Sequence, residues 1–470
     1  MTRQQALDAA AAHFDSGEFL ATLARRVAFP TESQEADSGP ALRAYLTDEI
    51  GPSLAALGFT WEVVDNPRQP YGPFLLAERI EDPGLPTVFT YGHGDVIRGY
   101  AEQWRKGRGP WLLAQEGERI YGRGTADNKG QHSINIAALA SVLATRGRLG
   151  FNVKALVETG EETGSPGLAE VAAAHRQRLA ADLLIASDGP RLSADRPTLF
   201  LGTRGCFNFD LTVRLREGGH HSGNWGGLIA NPGTILANAL ACIIDGRGVI
   251  RVPELRPAPI ANSVRRALAG LEVDGGSDGP SIDPDWGEPG LTPIERCFAW
   301  NSFEVLAFKT GNPERPVNAI PPVASAHCQM RFVAGSDWRQ FIPALRRHLD
   351  AHGFPMVTVT ATMDEAMAAT RLDPDHDYVR WAARSIERTA GRPPAVLPNL
   401  GGSLPNDVFA DILDMPTIWV PHSYPSCSQH APDEHMLAPV VREGLLIMTG
   451  LFWDLGEPAG AEGALPVLAA

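Results

Sequence analysis

Short apolar runs alternate with amphipathic stretches along the first 200 residues. The runs at 86–91, 153–157 and 183–186 predict buried strands, and apolar residues at helical spacing over 130–144 predict a buried helix among them. Strands that alternate with helices favour a mostly parallel sheet covered by helices. This alternation is the strongest constraint on the fold, and it predicts the α/β class.

The pattern changes after about residue 204. Apolar and polar residues alternate over 207–215 and 324–332, which is the period of strands with one exposed face and favours an α+β unit with an antiparallel sheet. The α/β pattern returns after the block. We therefore expect one α/β domain, residues 1–204 plus 365–470, interrupted by an inserted α+β domain, residues 205–364.

The chain is acidic, with 41 Lys and Arg against 55 Asp and Glu residues and a net charge of −14 at pH 7. Such a chain repels the phosphates of nucleic acids and anionic membrane surfaces. No apolar run approaches the roughly 18 residues that span a membrane. We expect neither a nucleic-acid nor a membrane partner.

The opening segment, MTRQQALDAAAAHFDSGEF, has no apolar core and carries acids early, so we expect no secretory signal there. The 5 cysteines are scattered and form no CxxC pair. Scattered, unpaired cysteines are typical of reduced thiols. These features predict a cytoplasmic protein.

Acidic and histidine residues gather where predicted strands end or helices begin, at the sheet edge where α/β proteins bind ligands. Each group alone also fits an ordinary turn, cap or surface pair. The groups are His93 with Asp95, Asp127 in GRGTADNKG, Glu161 with Glu162, Asp188 in SDG, and His430 in HAPDE.

The spacing within two groups suggests divided roles. Residues two apart in extended chain share a face, so His93 and Asp95 can face one site, one as a metal ligand and the other orienting it. Adjacent Glu161 and Glu162 point in different directions, so one can bind metal while the other stays free as a base. His422 and His435 lie near His430 in the chain, and either could be the metal ligand in its place.

Together, the groups supply enough donors for a dinuclear centre. Two histidines and three carboxylates can hold two divalent ions if one carboxylate bridges, and such a pair can activate water and polarise a carbonyl. Mixed imidazole and carboxylate donors favour Zn, with Mn or Co as alternatives, over Mg or Ca. The candidate ligands are His93, Asp127, Glu162, Asp188 and His430, with Asp95 and Glu161 unliganded beside them.

In order and spacing, these motifs resemble those of the M20 family of metallopeptidases, which includes carnosinase-like dipeptidases, aminoacylases and glutamate carboxypeptidase. The resemblance covers nearly the whole chain. It implies a catalytic domain with an inserted lid, or dimerisation, domain. It also implies specific roles: His93 and Asp188 on one metal, Glu162 and His430 on the other, Asp127 bridging, Asp95 orienting His93, Glu161 as general base, and a cis peptide bond between Asp127 and Asn128.

The resemblance extends to the substrate side of the site. The segment HHSGNWGG is similar to a lid motif whose histidine, here His221, steadies the oxyanion of a neighbouring active site, which implies a homodimer through the lid. Asn318 and Arg331 match lid positions that contact substrate. The loop with Gly401, Gly402 and Ser403 resembles the GGSIP loop of the carnosinase-like branch.

One departure concerns the residues before that loop. The carnosinase-like branch has Arg-Glu there, whereas this chain has Asn399 and Leu400. If the missing arginine binds a substrate carboxylate, the substrate here is another acid, or an amide without a free carboxylate on that side.

The leading hypothesis is a dinuclear metal-dependent hydrolase that cleaves an amide bond in a small peptide or an N-acyl amino acid. Glu161 would take a proton from the attacking water and pass it to the leaving amine. One alternative is an ammonia-releasing amidohydrolase, acting on a carbamoyl amide or an arylamine. Another is a non-catalytic binding scaffold, which the filled ligand and base positions disfavour.

Overall fold

The computed structural model describes residues 1–273, 280–362, 366–461 and 463–466. In chain order, the strands of these residues are β1 (Thr60–Val64), β2 (Phe74–Arg79), β3 (Thr87–His93), β4 (Ala114–Glu116), β5 (Arg119–Tyr121), β6 (Asn152–Glu158), β7 (Leu183–Ala186), β8 (Thr198–Phe200), β9 (Gly205–Arg214), β10 (His220–His221), β11 (Ser302–Thr310), β12 (Ala319–Ile320), β13 (Val323–Phe332), β14 (Val357–Ala361), β15 (Ala395–Leu397), β16 (Thr417–Trp419) and β17 (His435–Leu437). The α-helices are α1 (Arg3–Asp15), α2 (Glu18–Val27), α3 (Gly39–Ala44), α4 (Gly51–Ala55), α5 (Lys129–Arg146), α6 (Leu168–Ala174), α7 (Arg176–Leu179), α8 (Ser222–Trp225), α9 (Pro232–Ile243), α10 (Asn262–Leu268), α11 (Pro293–Phe298), α12 (Phe341–Ala351), α13 (Asp377–Ala390) and α14 (Ala438–Leu455).

A mixed sheet, here called the central sheet, runs in the order β1-β2-β6-β3-β7-β16-β8-β15. Its middle strands β6, β3, β7 and β16 are parallel to one another. Antiparallel pairs occur toward the edges, where β2 meets β1 and β6 and where β16 meets β8. The predicted α/β class is confirmed, and the parallel strands form the centre of the sheet.

Helices cover both faces of the central sheet, which explains the continuous apolar strands. On one face, Ile134 of α5 and Met448 of α14 belong to the same buried cluster as Val88 and Val153. On the other face, Val171 of α6 joins a cluster with Phe89, Leu184 and Trp419. Both faces of the middle strands are therefore buried, and the ends of the strands hold the polar residues.

A four-stranded antiparallel sheet, here called the second sheet, has the order β11-β13-β9-β14. Burial alternates along β13, and the buried side packs against α9 and α12. This is the α+β unit that the alternating pattern predicts. The proposed domain end at 364/365 lies outside the described residues, so the domain bounds stay a prediction.

Within the part of the chain that the structure describes, none of the helices combines the length and the apolar character required to cross a membrane.

Candidate metal centre and active site

The middle strands of the central sheet carry most of the predicted ligands to one edge. His93 is the last residue of β3, the Glu161–Thr163 turn follows β6, and Asp188 follows β7. Because β6, β3 and β7 are adjacent and parallel, their carboxyl ends meet at this edge. Asp127 enters from the loop before α5, and His430 from the loop after β16.

Asp127 lies at the centre of the cluster, between the two histidines. Its Oδ1 is 2.9 Å from His93 Nε2, and its Oδ2 is 3.1 Å from His430 Nε2. His430 Nε2 is also 3.0 Å from Glu162 Oε2, and His93 Nε2 is 3.5 Å from Asp188 Oδ2. Each carboxylate oxygen of Asp127 therefore faces a different histidine.

The cluster divides into two groups of donor atoms that share Asp127. One group is His93, Asp127 and Asp188; the other is Asp127, Glu162 and His430, and within each group the donor atoms lie within 4.8 Å of one another. Asp188 Oδ2 is buried and accepts no hydrogen bond. A buried carboxylate oxygen without a donor is costly unless a cation or a proton satisfies it. These residues therefore fit divalent metal ions.

Burial and the charges of neighbouring carboxylates raise the pKa values of three acidic side chains in this cluster. Burial, with the charge of Asp127, raises the pKa of Glu162 to about 7. Burial and the neighbouring carboxylates, chiefly Glu162, raise the pKa of Glu161 well above its usual range, and burial also raises that of Asp188. Cations bound here would offset this concentration of negative charge.

The pKa values of the two histidines and of Asp127 shift in the directions that favour their charged forms. Although burial opposes a charge on His93, its contacts with Asp127, Asp188 and Asp95 hold the pKa of this imidazole well above its ordinary value. Hydrogen bonding to Asp127 and Glu162 raises the pKa of His430 to about 11. Burial opposes a charge on Asp127, but the two histidines lower its pKa.

Asp95 links His93 to the glutamate turn. Its carboxylate accepts hydrogen bonds from the backbone N–H groups of Glu161, at 3.2 Å, and Glu162, at 3.1 Å. Nδ1 of His93 lies 3.1 Å from the Asp95 carbonyl oxygen and 3.4 Å from its Oδ1. Asp95 is thus placed to hold the imidazole of His93 and both glutamates in fixed relation, and it lies outside both donor groups.

His430 lies on a loop with unusual backbone geometry. Its φ is +59°, and Ser428 and Asp433 have φ values of +56° and +61°. Left-handed non-glycine residues cost free energy and occur often at functional sites. Gln429, which sequence reasoning missed, donates from Nε2 to Asp127 Oδ2 at 2.5 Å. Its position next to His430 is the sequence feature that could have pointed to it.

The two competing histidines lie outside both donor groups. His435 contacts the Tyr424 hydroxyl at 2.6 Å and the Asp433 carbonyl at 2.9 Å. His422 is fully buried, and its backbone N–H donates to the Gln131 side chain at 2.8 Å. Of the three neighbouring histidines, His430 alone reaches Asp127 among the contacts of the described residues.

A cavity of about 820 Å³ opens beside the cluster. Asp127, Glu161, Asp188 and His430 line it together with Arg331, Gly401, Gly402 and Ser403. Within it, the Arg331 guanidinium donates to Ser403 Oγ at 2.8 Å and to Gln329 Oε1 at 3.0 Å. The second sheet thus contributes a fixed cationic group to a cavity that begins at the central sheet.

His221 and Asn318 lie elsewhere. Both are exposed, and neither lines the cavity. They adjoin each other on a small ribbon, in which β10 pairs with β12 and the Ser222 N–H donates to the Asn318 carbonyl at 2.9 Å. Within this single chain the structure does not bring them to the other predicted site residues.

The family model described as Peptidase family M20/M25/M40 matches residues 89–454. The chain belongs to this peptidase family. The match confirms the predicted resemblance and supports the prediction of a hydrolytic enzyme. The peptide bond between Asp127 and Asn128 is cis, as the resemblance implies.

Curated relatives of this M20/M25/M40 chain match over part of their length. It is 32% identical over 273 residues to mouse beta-Ala-His dipeptidase, covering 55% of each chain. It is 29% identical over 252 residues to the Cys-Gly metallodipeptidase DUG1 of Candida albicans, covering 50% of this chain and 51% of that one. The chain therefore spans about half the length of these relatives.

Solved structures share the fold over almost the full chain. Human carnosine dipeptidase 1 superposes with a TM-score of 0.76 at 24% identity, covering 97% of this chain and 99% of the other. The dipeptidase Dug1p from Saccharomyces cerevisiae superposes with a TM-score of 0.78 at 21% identity, covering 98% and 100%. These likenesses establish the fold.

Glu434 holds the loop that presents Asp127 in this peptidase-family fold. Its buried carboxylate accepts hydrogen bonds from the backbone N–H groups of Gly124, Ala126 and Asp127 at 2.9–3.1 Å, and from Arg123 Nη1 at 2.8 Å. Sequence reasoning placed this residue within the HAPDE segment and gave it no role. Its contacts identify it as a positioning residue for Asp127.

We expect Glu434→Gln to lower the free energy of unfolding of the metal-free protein by about 3–5 kcal/mol, because it leaves the buried Arg123 guanidinium without a counter-charge. Urea denaturation measures this change in the free energy of unfolding. The matched control is Glu116→Gln, whose exposed carboxylate pairs with Arg108 and whose loss should change the stability far less, since solvent screens exposed pairs. Equal losses in the two variants would contradict the positioning role.

Proposed function

We propose that this chain is a dinuclear metal-dependent hydrolase that cleaves an amide bond in a small peptide or N-acyl amino acid. The observation that carries the proposal is the pair of donor groups that share Asp127. They lie at the wall of a cavity of about 820 Å³, which suits a small ligand. A shared carboxylate between two donor groups is the arrangement that a two-metal hydrolytic site requires.

The donor set supports Zn, with Mn or Co as alternatives, because imidazole and carboxylate donors are mixed. His93 and Asp188 would hold one ion, Glu162 and His430 the other, and Asp127 both. When bound, the ions would polarise the substrate carbonyl and lower the pKa of water at the site.

Glu161 is suited to the role of general base. It belongs to neither donor group, yet its carboxylate lines the cavity and lies 4.0 Å from His93 Nε2. Burial raises the pKa of Glu161, so its carboxylate takes up a proton more readily than an exposed glutamate does, and it could then deliver that proton to the leaving amine. Asp95 would keep its side chain in place through the backbone of the turn.

The names of the relatives favour a dipeptide substrate. The mouse relative is named a beta-Ala-His dipeptidase, and the Candida albicans relative a Cys-Gly metallodipeptidase. The cavity favours a more apolar substrate. Leu400 lies against Gly189, the neighbour of Asp188, where an added Cβ would be 3.0 Å from Leu400 Cδ1. Further apolar side chains line the same cavity: Leu192, Phe298, Leu397 and Leu404.

These contacts support a dipeptide or acyl amino acid with a bulky apolar side chain. The apolar wall would take that side chain, starting beside Asp188, and the Arg331 guanidinium would pair with a substrate carboxylate. Leu400 stands where the carnosinase-like branch has a charged residue, so the preference would differ from that branch.

A homodimer would complete the site. His221 and Asn318 are exposed and outside the cavity, as expected of residues that serve a neighbouring subunit. The edge strand β11 exposes apolar side chains: Val305 (42%), Leu306 (54%) and Phe308 (43%). Exposed apolar edge strands favour pairing with another chain. The second sheet is therefore the proposed dimerisation surface, and His221 the proposed oxyanion donor.

A cytoplasmic location remains part of the proposal. All five cysteines, each within the described residues, are free thiols. Free thiols are the usual state in a reducing compartment.

Glu161→Gln should reduce turnover by about 10²–10⁴-fold, because the amide cannot accept the proton of the attacking water. Its metal content, measured by plasma mass spectrometry, should equal that of the parent protein. The neighbouring Glu162→Gln variant is the matched control and should lose metal. Near-normal turnover of Glu161→Gln would refute the base assignment.

His221→Ala should reduce the rate by about 10²–10³-fold if this imidazole stabilises an oxyanion. Mixing His221→Ala with Glu161→Ala subunits should restore activity, because one site of the mixed dimer then keeps both groups. The adjacent His220→Ala variant is the control and should retain activity. A monomeric protein with full activity would contradict the dimer.

Leu400→Ala should lower kcat/KM for glycyl-leucine and glycyl-phenylalanine by at least about 10-fold, because an apolar pocket discriminates by about 10–200-fold per missing methylene. Glycyl-glycine, which does not reach the wall, is the control substrate and should be unaffected. The products of the same reactions should also be identified, as amino acids or as ammonia. A chelator-sensitive release of ammonia alone would favour the amidohydrolase alternative.

A further inference from the structure

A cluster of one cysteine and two histidines lies on the helical layer of the second sheet. Cys242 is near the end of α9, and His348 and His352 are at the end of α12. Residues four apart in a helix share a face, and the rings of His348 and His352 stack with centroids 4.0 Å apart. None of the three lines the cavity at the central sheet.

The three side chains are close enough to serve one ion. The Cys242 sulfur and one nitrogen of each ring lie within 4.8 Å of one another. Metal bonds from sulfur and imidazole nitrogen to zinc are about 2.0–2.3 Å long. Small side-chain rotations would therefore bring all three donors onto one ion.

The hydrogen bonds around the histidines already resemble those of ligated imidazoles. His348 Nε2 lies 2.8 Å from the Cys242 carbonyl oxygen, and His352 Nδ1 lies 2.8 Å from the His348 carbonyl oxygen. A carbonyl only accepts, so each of these nitrogens carries the proton. In the neutral rings, the other nitrogen, Nδ1 of His348 and Nε2 of His352, keeps a lone pair that is free for a metal. Metal-binding histidines commonly donate their second N–H to a carbonyl in this way.

We propose that Cys242, His348 and His352 form a second, separate metal site that binds zinc or a chemically similar divalent ion. One thiolate and two imidazoles are donors for such an ion, with a fourth position left to water. On binding, the Cys242 thiol, which donates to the Ala239 carbonyl at 3.0 Å, releases its proton to solvent. The ion would then join α9 to α12.

The surrounding charges limit the affinity. Burial raises the pKa of the Cys242 thiol and so disfavours the thiolate, although the nearby Arg251 lowers that pKa. The cation Arg347, paired with Glu254 at 3.3 Å, is the neighbour of His348 and repels a metal ion. Glu254 also lies within electrostatic reach of His348 and partly offsets these cations. The site is half-exposed, whereas the donors around Asp127 are mostly buried. It should therefore fill after the active centre as metal is added.

Cobalt titration of the metal-free protein, residues 1–470, tests the proposal. A cobalt–thiolate bond gives a near-ultraviolet charge-transfer band that carboxylate and imidazole ligands do not give. The parent protein should develop this band, and Cys242→Ser should lack it and bind one zinc equivalent fewer. His352→Ala should require at least about 10-fold more cobalt. His327→Ala, on the second sheet outside the cluster, is the control and should match the parent.

All these variants should keep the parent's peptidase activity, because the cluster lies outside the catalytic cavity. Zinc in excess should also raise the melting temperature of the parent more than that of Cys242→Ser, because binding to the folded state stabilises it. A band that persists in Cys242→Ser, or one that disappears instead in Cys206→Ser, would overturn the proposal. So would a parent protein that shows no band at saturating cobalt.

Discussion

The concentration of buried carboxylates at one edge of the central sheet governs the rest of the structure. Four of them surround two histidines: Asp127 and Asp188, which are buried, and Glu161 and Glu162, whose side chains are 11% and 3% exposed. Burial, together with repulsion between the neighbouring carboxylates, raises the pKa values of Glu161, Glu162 and Asp188. The arrangement persists because the parallel strands fix the backbone beneath it, and the two neighbouring histidines, whose pKa values are raised, offset part of its negative charge.

A frame of buried hydrogen bonds keeps this charge in place. Asp95 fixes the glutamate turn through two backbone N–H groups, and Glu434 fixes the loop of Asp127 through three. Neither carboxylate belongs to a donor group, yet each accepts hydrogen bonds from backbone N–H groups of the segment that presents the candidate ligands. The second sheet is tied to the same site, because the Arg204 guanidinium donates to the Arg331 carbonyl at 3.2 Å and Ser403 Oγ donates to the Arg204 carbonyl at 2.6 Å.

Motif position in the sequence predicted candidate donor residues because most of these motifs follow an apolar strand or open a helix, and local sequence determines where such elements begin and end. The same reasoning could not find Gln429 or Glu434, since their partners lie hundreds of residues away in the chain. It also could not decide between His430 and its neighbours without the family resemblance. His221 and Asn318 were predicted by resemblance alone, and their position outside the cavity depends on how the second sheet is placed.

The sequence by itself determined the α/β class and the interruption by an antiparallel unit, because periodicity is a local property. Its motifs, together with the family resemblance, identified the candidate metal-binding residues. The tertiary structure decided which of those residues lie together in one site. Sheet order brought β6, β3 and β7 together, and packing enclosed Asp127 between two histidines. It also paired Cys242 with the histidines of α12. Such contacts depend on long-range packing, which no local pattern encodes.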